Sequence, residues 1–123
     1  MTRDVVLLGS TGSIGTQAIE VVRAAPDRFR IVALAAGGGR IGELADQVAA
    51  LGVRRVGVAD AEAEPALRAA LAERGVSGVE LEVGPDAAST LAALGADVVL
   101  NGMTGAIGLR PTLAALAAGS LLA

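Results

Sequence analysis

Apolar residues along this chain switch between two rhythms: continuous runs of strand length, and stripes recurring every three or four positions. Val5-Val6-Leu7-Leu8 is an unbroken apolar run, which is how a strand buried on both faces reads. Beyond a glycine-rich interval, Ile14, Ala18, Val21, Val22 and Ala25 fall at helical spacing, with Gln17, Glu20 and Arg23 on the other side, and Pro26 stops the helix. Arg30 to Ala36 is a second buried strand. Ile41, Leu44, Ala45, Val48 and Leu51 then trace a second amphipathic helix, ended by Gly52. Val53 to Ala59 is a shorter third strand, and Arg54 and Arg55 place it near a sheet edge.

The second half continues the alternation. Asp60 reads as an N-cap, and Pro65 to Arg74 as a helix with Leu67, Ala70 and Leu71 on one face and Gly75 past its end. Val79-Glu80-Leu81-Glu82-Val83 alternates strictly, predicting a half-exposed strand or edge ribbon with both glutamates in water. Asp86 is placed to cap a helix from Ala87 to Leu94, and Asp97 to Asn101 is another buried strand. Pro111 suits the first position of a helix running through Leu113 and Leu116 to Gly119, after which Leu121-Leu122-Ala123 reads as a strand cut short.

Strand, helix, strand within about thirty residues is a βαβ unit, and its repetition predicts an α/β fold. The expected architecture is a doubly wound, Rossmann-like parallel sheet with helices on both faces, in one dinucleotide-binding domain spanning residues 1–123. Composition fits: 53% of residues are hydrophobic but 1% aromatic, with Phe29 alone, so the core is Ala, Val, Leu and Ile. Such a core suits a helix-covered sheet better than a stacking or carbohydrate-binding surface.

The candidate chemistry sits where the first strand gives way to its helix. Gly9, Gly12 and Gly15 form G-x-x-G-x-x-G, a variant of the dinucleotide fingerprint. Gly9 can take a positive φ in the sharp turn, Gly12 lets main-chain amides approach a pyrophosphate, and Gly15 lets the helix lie close on the sheet. The helix N-terminus adds free N–H donors and a positive dipole end, and Ser10, Thr11 and Ser13 add hydroxyls. Gly37-Gly38-Gly39-Arg40 follows the second strand. An NAD-binding domain carries an Asp or Glu about 20 residues past its glycines, where this chain has alanine and glycine. Without that carboxylate nothing repels a 2′-phosphate, and Arg40 with the loop amides can bind one, so NADP is expected over NAD. A second loop, Gly102 to Gly108, repeats G-x-T-G-x-I-G, and the doubly wound order sets it beside the first across one crevice.

Other functions are excluded by what is missing. Without cysteine there is no disulfide scaffold or thiolate metal site, and without histidine the commonest general base and metal ligand is gone. The chain offers no catalytic residue of its own. All ten cations are arginine, and a net charge of −3 with no stacking residues argues against nucleic acid. Residues 1–40 carry net +2 and the remainder net −5, which reads as a solvated acidic face. No apolar run approaches the roughly 18 residues of a membrane span and no leader precedes the first strand, so a cytoplasmic location is expected.

Four stretches together resemble 1-deoxy-D-xylulose 5-phosphate reductoisomerase: Leu8 to Gly15, Pro26 to Phe29, Ala35 to Gly38, and Gly105 to Leu113. The likeness runs the length of the chain. It implies the NADPH-binding N-terminal domain of an enzyme of non-mevalonate isoprenoid synthesis. That enzyme isomerises a sugar phosphate by retro-aldol and aldol steps, then reduces the aldehyde to 2-C-methyl-D-erythritol 4-phosphate, using NADPH and a divalent metal, Mg or Mn. By the same resemblance, Thr11, Gly12, Ser13 and Ile14 contact the pyrophosphate, and Gly37 onward lies on the 2′-phosphate side. Many members have Lys and Asn where this chain has Gly38 and Gly39, which leaves Arg40 as the substitute. The family's metal ligands, substrate-phosphate residues and dimerising domain lie beyond Ala123, so the chain is expected to be a fragment, inactive alone and homodimeric only at full length. Two alternatives stay open: the NADP-binding domain of another oxidoreductase, and a non-catalytic nucleotide-binding module.

Overall fold

The computed structural model describes residues 2–103, 119 and 121–122. Within them lie β1 (Arg3–Leu8), α1 (Ser13–Arg23), β2 (Phe29–Ala36), α2 (Ile41–Leu51), β3 (Arg55–Val58), a single 3-10 turn (Ala61–Ala63), α3 (Glu64–Glu73), β4 (Glu80–Val83), α4 (Ala87–Ala92), β5 (Val98–Asn101) and β6 (Leu121–Leu122). All six strands pair in parallel, in the order β4-β3-β2-β1-β5-β6. The chain therefore winds outward from β1 to β4, then crosses back to place β5 on the other flank of β1. That reversal is the switch point of a doubly wound sheet, and it falls where Leu8 pairs with Asn101.

Helices cover both faces. On one, α1, α2 and α3 pack Ile19, Val22, Leu44, Val48, Leu67 and Leu71 against Val5, Leu7, Leu34, Val56 and Val58. On the other, Leu91 and Ala92 of α4 meet Val6, Leu8, Ala33, Ala35 and Val99. Between Val5 and Val6 the register with β2 jumps from Ile31 to Ala33, so Val32 is an extra residue in the ladder. The bulge reverses the alternation, letting Ile31 and Leu34 share one core while Val32 and Ala33 face the other.

Several sequence expectations are revised by the packing. The inner face of α1 is Gly15, Ile19 and Val22, whereas Ile14 and Val21 are 58% and 66% exposed. The helix is rotated from the phase its apolar residues suggest, because Gly15 has to meet the turn before it. β3 does lie near the edge, one strand in: β4 pairs along its outer side, and the Arg55 charge is matched by Glu80 across the ladder at 2.9 Å. Glu80 is exposed as expected, but Glu82 is half-buried. Asp60 does cap, accepting from the Glu62 amide at 3.0 Å. Asp86 stands at the N-cap of α4 without a side-chain capping bond, and that helix is two residues shorter than its pattern suggests. Residues 104–108 of the second glycine loop and the helix expected from Pro111 through Leu116 lie outside the described residues.

Six-residue α4 is the one helix on the second core cluster among the described residues, and Gly57 of β3 lets it sit close: a Cβ there would come within 2.9 Å of Leu91 Cδ1. Leu91 is fully buried. Leu91→Ala should therefore cost about 2–5 kcal/mol in urea unfolding, far more than truncating the exposed Val21 to alanine. Equal losses at the two positions would contradict this packing.

Candidate functional site

The first glycine turn is built from its own amides. Gly9 and Ser10 both donate to the Ala35 carbonyl, at 2.8 and 3.0 Å, and Gly12 donates back to the Gly9 carbonyl at 3.1 Å. Gly9 has φ 76°, and a Cβ there would press on the Gly102 carbonyl carbon at 3.0 Å. Gly15 is tighter still: its Cβ would run into the Gly9 carbonyl oxygen and come within 2.8 Å of the Ser10 backbone. On the β5 side the Gly102 amide donates to the Leu8 carbonyl at 2.8 Å. Three stretches of bare backbone thus lie against one another at the switch point.

What remains unspent faces outward. The Thr11, Ser13 and Ile14 amides meet no acceptor among the described residues, and Gly12, Ser13 and Ile14 are exposed. The N-cap of α1 is Gly12, with an extended backbone and no side chain to fold over the first-turn amides as Ser or Asp would. The result is a cluster of donors at the positive end of a helix dipole, with a geometry suited to a phosphate.

The β2–α2 loop forms the second wall. Gly38, at φ 114°, fits between Asp60 and Ala63, where a Cβ would be 3.0 Å from that of Asp60. Gly37 and Gly39 are exposed, and a Cβ at either would have nothing within 4 Å, so their backbone is open to a ligand. Arg40 reaches from this loop to the first: its Nη1 donates to the Thr11 carbonyl at 3.2 Å and lies 3.6 Å from Glu43. Two thirds of its side chain is exposed, so the guanidinium is available where both loops meet.

The residues picked from sequence, Gly9, Thr11, Gly12, Ser13, Ile14 and Gly37 through Arg40, are thus brought to one end of the sheet. Gly9 takes the positive φ expected of it in the turn, and its amide is held by the Ala35 carbonyl. Two other parts differ from expectation. Gly15 packs against that turn more than against the sheet. Ser10 is wholly buried, so its hydroxyl is not among the exposed donors. One residue was missed: Gln47, whose Nε2 donates to the Ser10 carbonyl at 2.9 Å. Its signal was a polar side chain at the margin of the buried stripe of α2, between Leu44 and Val48. Among the described residues, no three His, Cys, Asp or Glu gather to hold a metal, and no helix is long and apolar enough to cross a membrane.

Strand order, switch point and glycine turn define a Rossmann-like α/β domain with amides lacking an acceptor among the described residues at the head of its first helix. Comparison with known proteins narrows the class. A family profile for 1-deoxy-D-xylulose 5-phosphate reductoisomerase matches residues 5–123, and the chain belongs to that family. Reductoisomerases of Bifidobacterium longum and Streptomyces coelicolor are 54% and 56% identical to it, over 97% and 98% of this chain. The chain spans 30% of the length of each. Among solved structures, the Zymomonas mobilis reductoisomerase in complex with NADPH superimposes with a TM-score of 0.90 at 35% identity, covering 100% of this chain and 31% of that one. A reductoisomerase in complex with NADPH, fosmidomycin and magnesium gives 0.88 at 26% identity, over 98% of this chain and 29% of that one.

The backbone contact at Gly15 yields a direct comparison. Gly15→Ala should lower stability by at least about 2 kcal/mol, because the obstacle is main chain, whereas Gly37→Ala should be within about 0.5 kcal/mol of wild type. Urea unfolding of both variants checks this, and a neutral Gly15→Ala would refute the close approach.

Proposed function

We propose that residues 1–123 form the NADPH-binding domain of a 1-deoxy-D-xylulose 5-phosphate reductoisomerase. The observation that carries this is the set of open amides at Thr11, Ser13 and Ile14, at the switch point of the sheet. In the proposed complex these amides hold the pyrophosphate, with exposed Ile14 covered by the cofactor. The bare backbone at Gly37, Gly38 and Gly39 takes the adenosine ribose, and the Arg40 guanidinium takes the 2′-phosphate. The absence of an acidic side chain from Gly37 to Arg40 supports NADPH over NADH. Bound there, the cofactor supplies a hydride to the family's reaction.

The same proposal divides the labour of the enzyme. These 123 residues have no His, Cys, Tyr or Lys, and the described ones gather no metal-ligand cluster. Isomerisation of the sugar phosphate, the divalent metal and the homodimer contact are assigned to the part of the protein matching the rest of the relatives' length, in a cytoplasmic enzyme.

Titrating this chain with NADPH and NADH, following nucleotide fluorescence, tests the cofactor assignment. NADPH should bind more tightly, and Arg40→Ala should weaken NADPH by about tenfold while leaving NADH nearly unchanged. Equal binding of both nucleotides by the wild type would remove the 2′-phosphate assignment. With sugar phosphate and Mg²⁺ added, the chain alone should consume no NADPH, and measurable turnover would overturn the division of labour.

A further inference from the structure

We propose that Gln47 is a positioning residue that aims the Thr11 amide at the ligand. Gln47 Nε2 donates to the Ser10 carbonyl at 2.9 Å. That carbonyl and the Thr11 N–H are opposite ends of one trans peptide plane, so fixing the direction of one fixes the other. Helix α2 lies on the β2–β3 side of β1, and β5 lies on the other flank. In this proposal, holding the Ser10 carbonyl on the α2 side keeps the Thr11 N–H, which meets no acceptor among the described residues, directed away from α2 and toward the ligand. Arg40, from the head of the same helix, holds the next carbonyl, Thr11, at 3.2 Å. Gln47 and the N-cap Arg40 thus contact two consecutive peptides of the glycine turn, but the N–H of the second, Gly12, is already held by the Gly9 carbonyl at 3.1 Å, so only Gln47 bears on an amide left without an acceptor. The helix itself is braced by Arg74, which bonds Asp46 at 2.7 Å and the Gly42 carbonyl at 3.4 Å.

Stability alone does not account for Gln47. Its Oε1 and the Ser10 Oγ are both buried, and neither meets a partner among the described residues. A buried polar atom without a partner is a cost that offsets the bond to the Ser10 carbonyl, so an apolar side chain of the same length, which removes Oε1 but leaves that carbonyl without its donor, should change the stability of the fold little. What such a side chain would lose is the orientation of the peptide.

The assignment rests on the dinucleotide reading above, and its test separates the two. The chain, Gln47→Met and Gln47→Glu are titrated with NADPH and with NADH, and thermal unfolding of each is recorded. The wild type should bind, and Gln47→Met should stay folded with a Tm near that of the wild type yet bind both nucleotides about tenfold more weakly, in equal proportion, because the pyrophosphate is common to both. Gln47→Glu, which keeps the shape but sets a carboxylate against a carbonyl, should bind more weakly still. Arg40→Ala, by contrast, alters the ratio between the nucleotides. In amide hydrogen exchange, Thr11 should gain protection from NADPH in the wild type and not in Gln47→Met. If the wild type binds neither nucleotide, the dinucleotide reading falls and this inference with it. If the wild type binds and a folded Gln47→Met binds equally well, or loses affinity only as its Tm falls, the positioning role alone is overturned.

Discussion

The structure depends on a close approach of backbone to backbone. Gly9, Gly15 and Gly102 bring β1, α1 and β5 together with no side chain between them, and the Gly102 amide closes the contact on the Leu8 carbonyl. A methyl group at Gly15 would strike main chain, which cannot rotate away as a side chain can. The contact fixes where α1 starts, how it is rotated, and which of its first amides are left without acceptors. The candidate anion site is therefore a by-product of packing: the same geometry that lets the helix sit against the turn leaves the Thr11, Ser13 and Ile14 amides without an acceptor among the described residues.

Rotation of α1 explains why periodicity misleads in that helix. Five apolar residues on a stripe suggest that Ile14 and Val21 face the sheet. Gly15 contributes nothing to a hydrophobic pattern, yet it sets the phase, and Ile19 and Val22 follow it at the spacing of the helix. Ile14 is then left at the mouth of the crevice. An exposed isoleucine beside open amides is costly in a bare surface and sensible where a ligand covers it.

Helix α2 carries more of the site than its sequence suggests. Its inner face packs in the core through Leu44, Ala45 and Val48, while Arg40 and Gln47 reach across to the preceding glycine turn. The two loops are coupled through one rigid element, which is how a residue outside the fingerprint comes to bear on it. A loop-borne contact would not hold a peptide plane as firmly.

The sequence by itself determined the strands, helices and layered architecture, because continuous apolar runs and helical stripes are local signals repeated consistently along the chain. It also determined the main binding loops, since Gly9–Gly15 and Gly37–Arg40 are marked by residue types that few other structures need. Tertiary structure decided the rest. Which strand forms the edge depends on what pairs outside it, and so β4 covers β3 and Arg55 meets Glu80. Whether an amide is free depends on which carbonyls surround it, and so Gly9, Ser10 and Gly12 were spent on the turn and Ser10 was buried. Gln47 looked like an ordinary polar position until folding placed Ser10, 37 residues away in the chain, against it. Pairing, burial and hydrogen-bond satisfaction are relations between distant residues, and only the folded chain sets them.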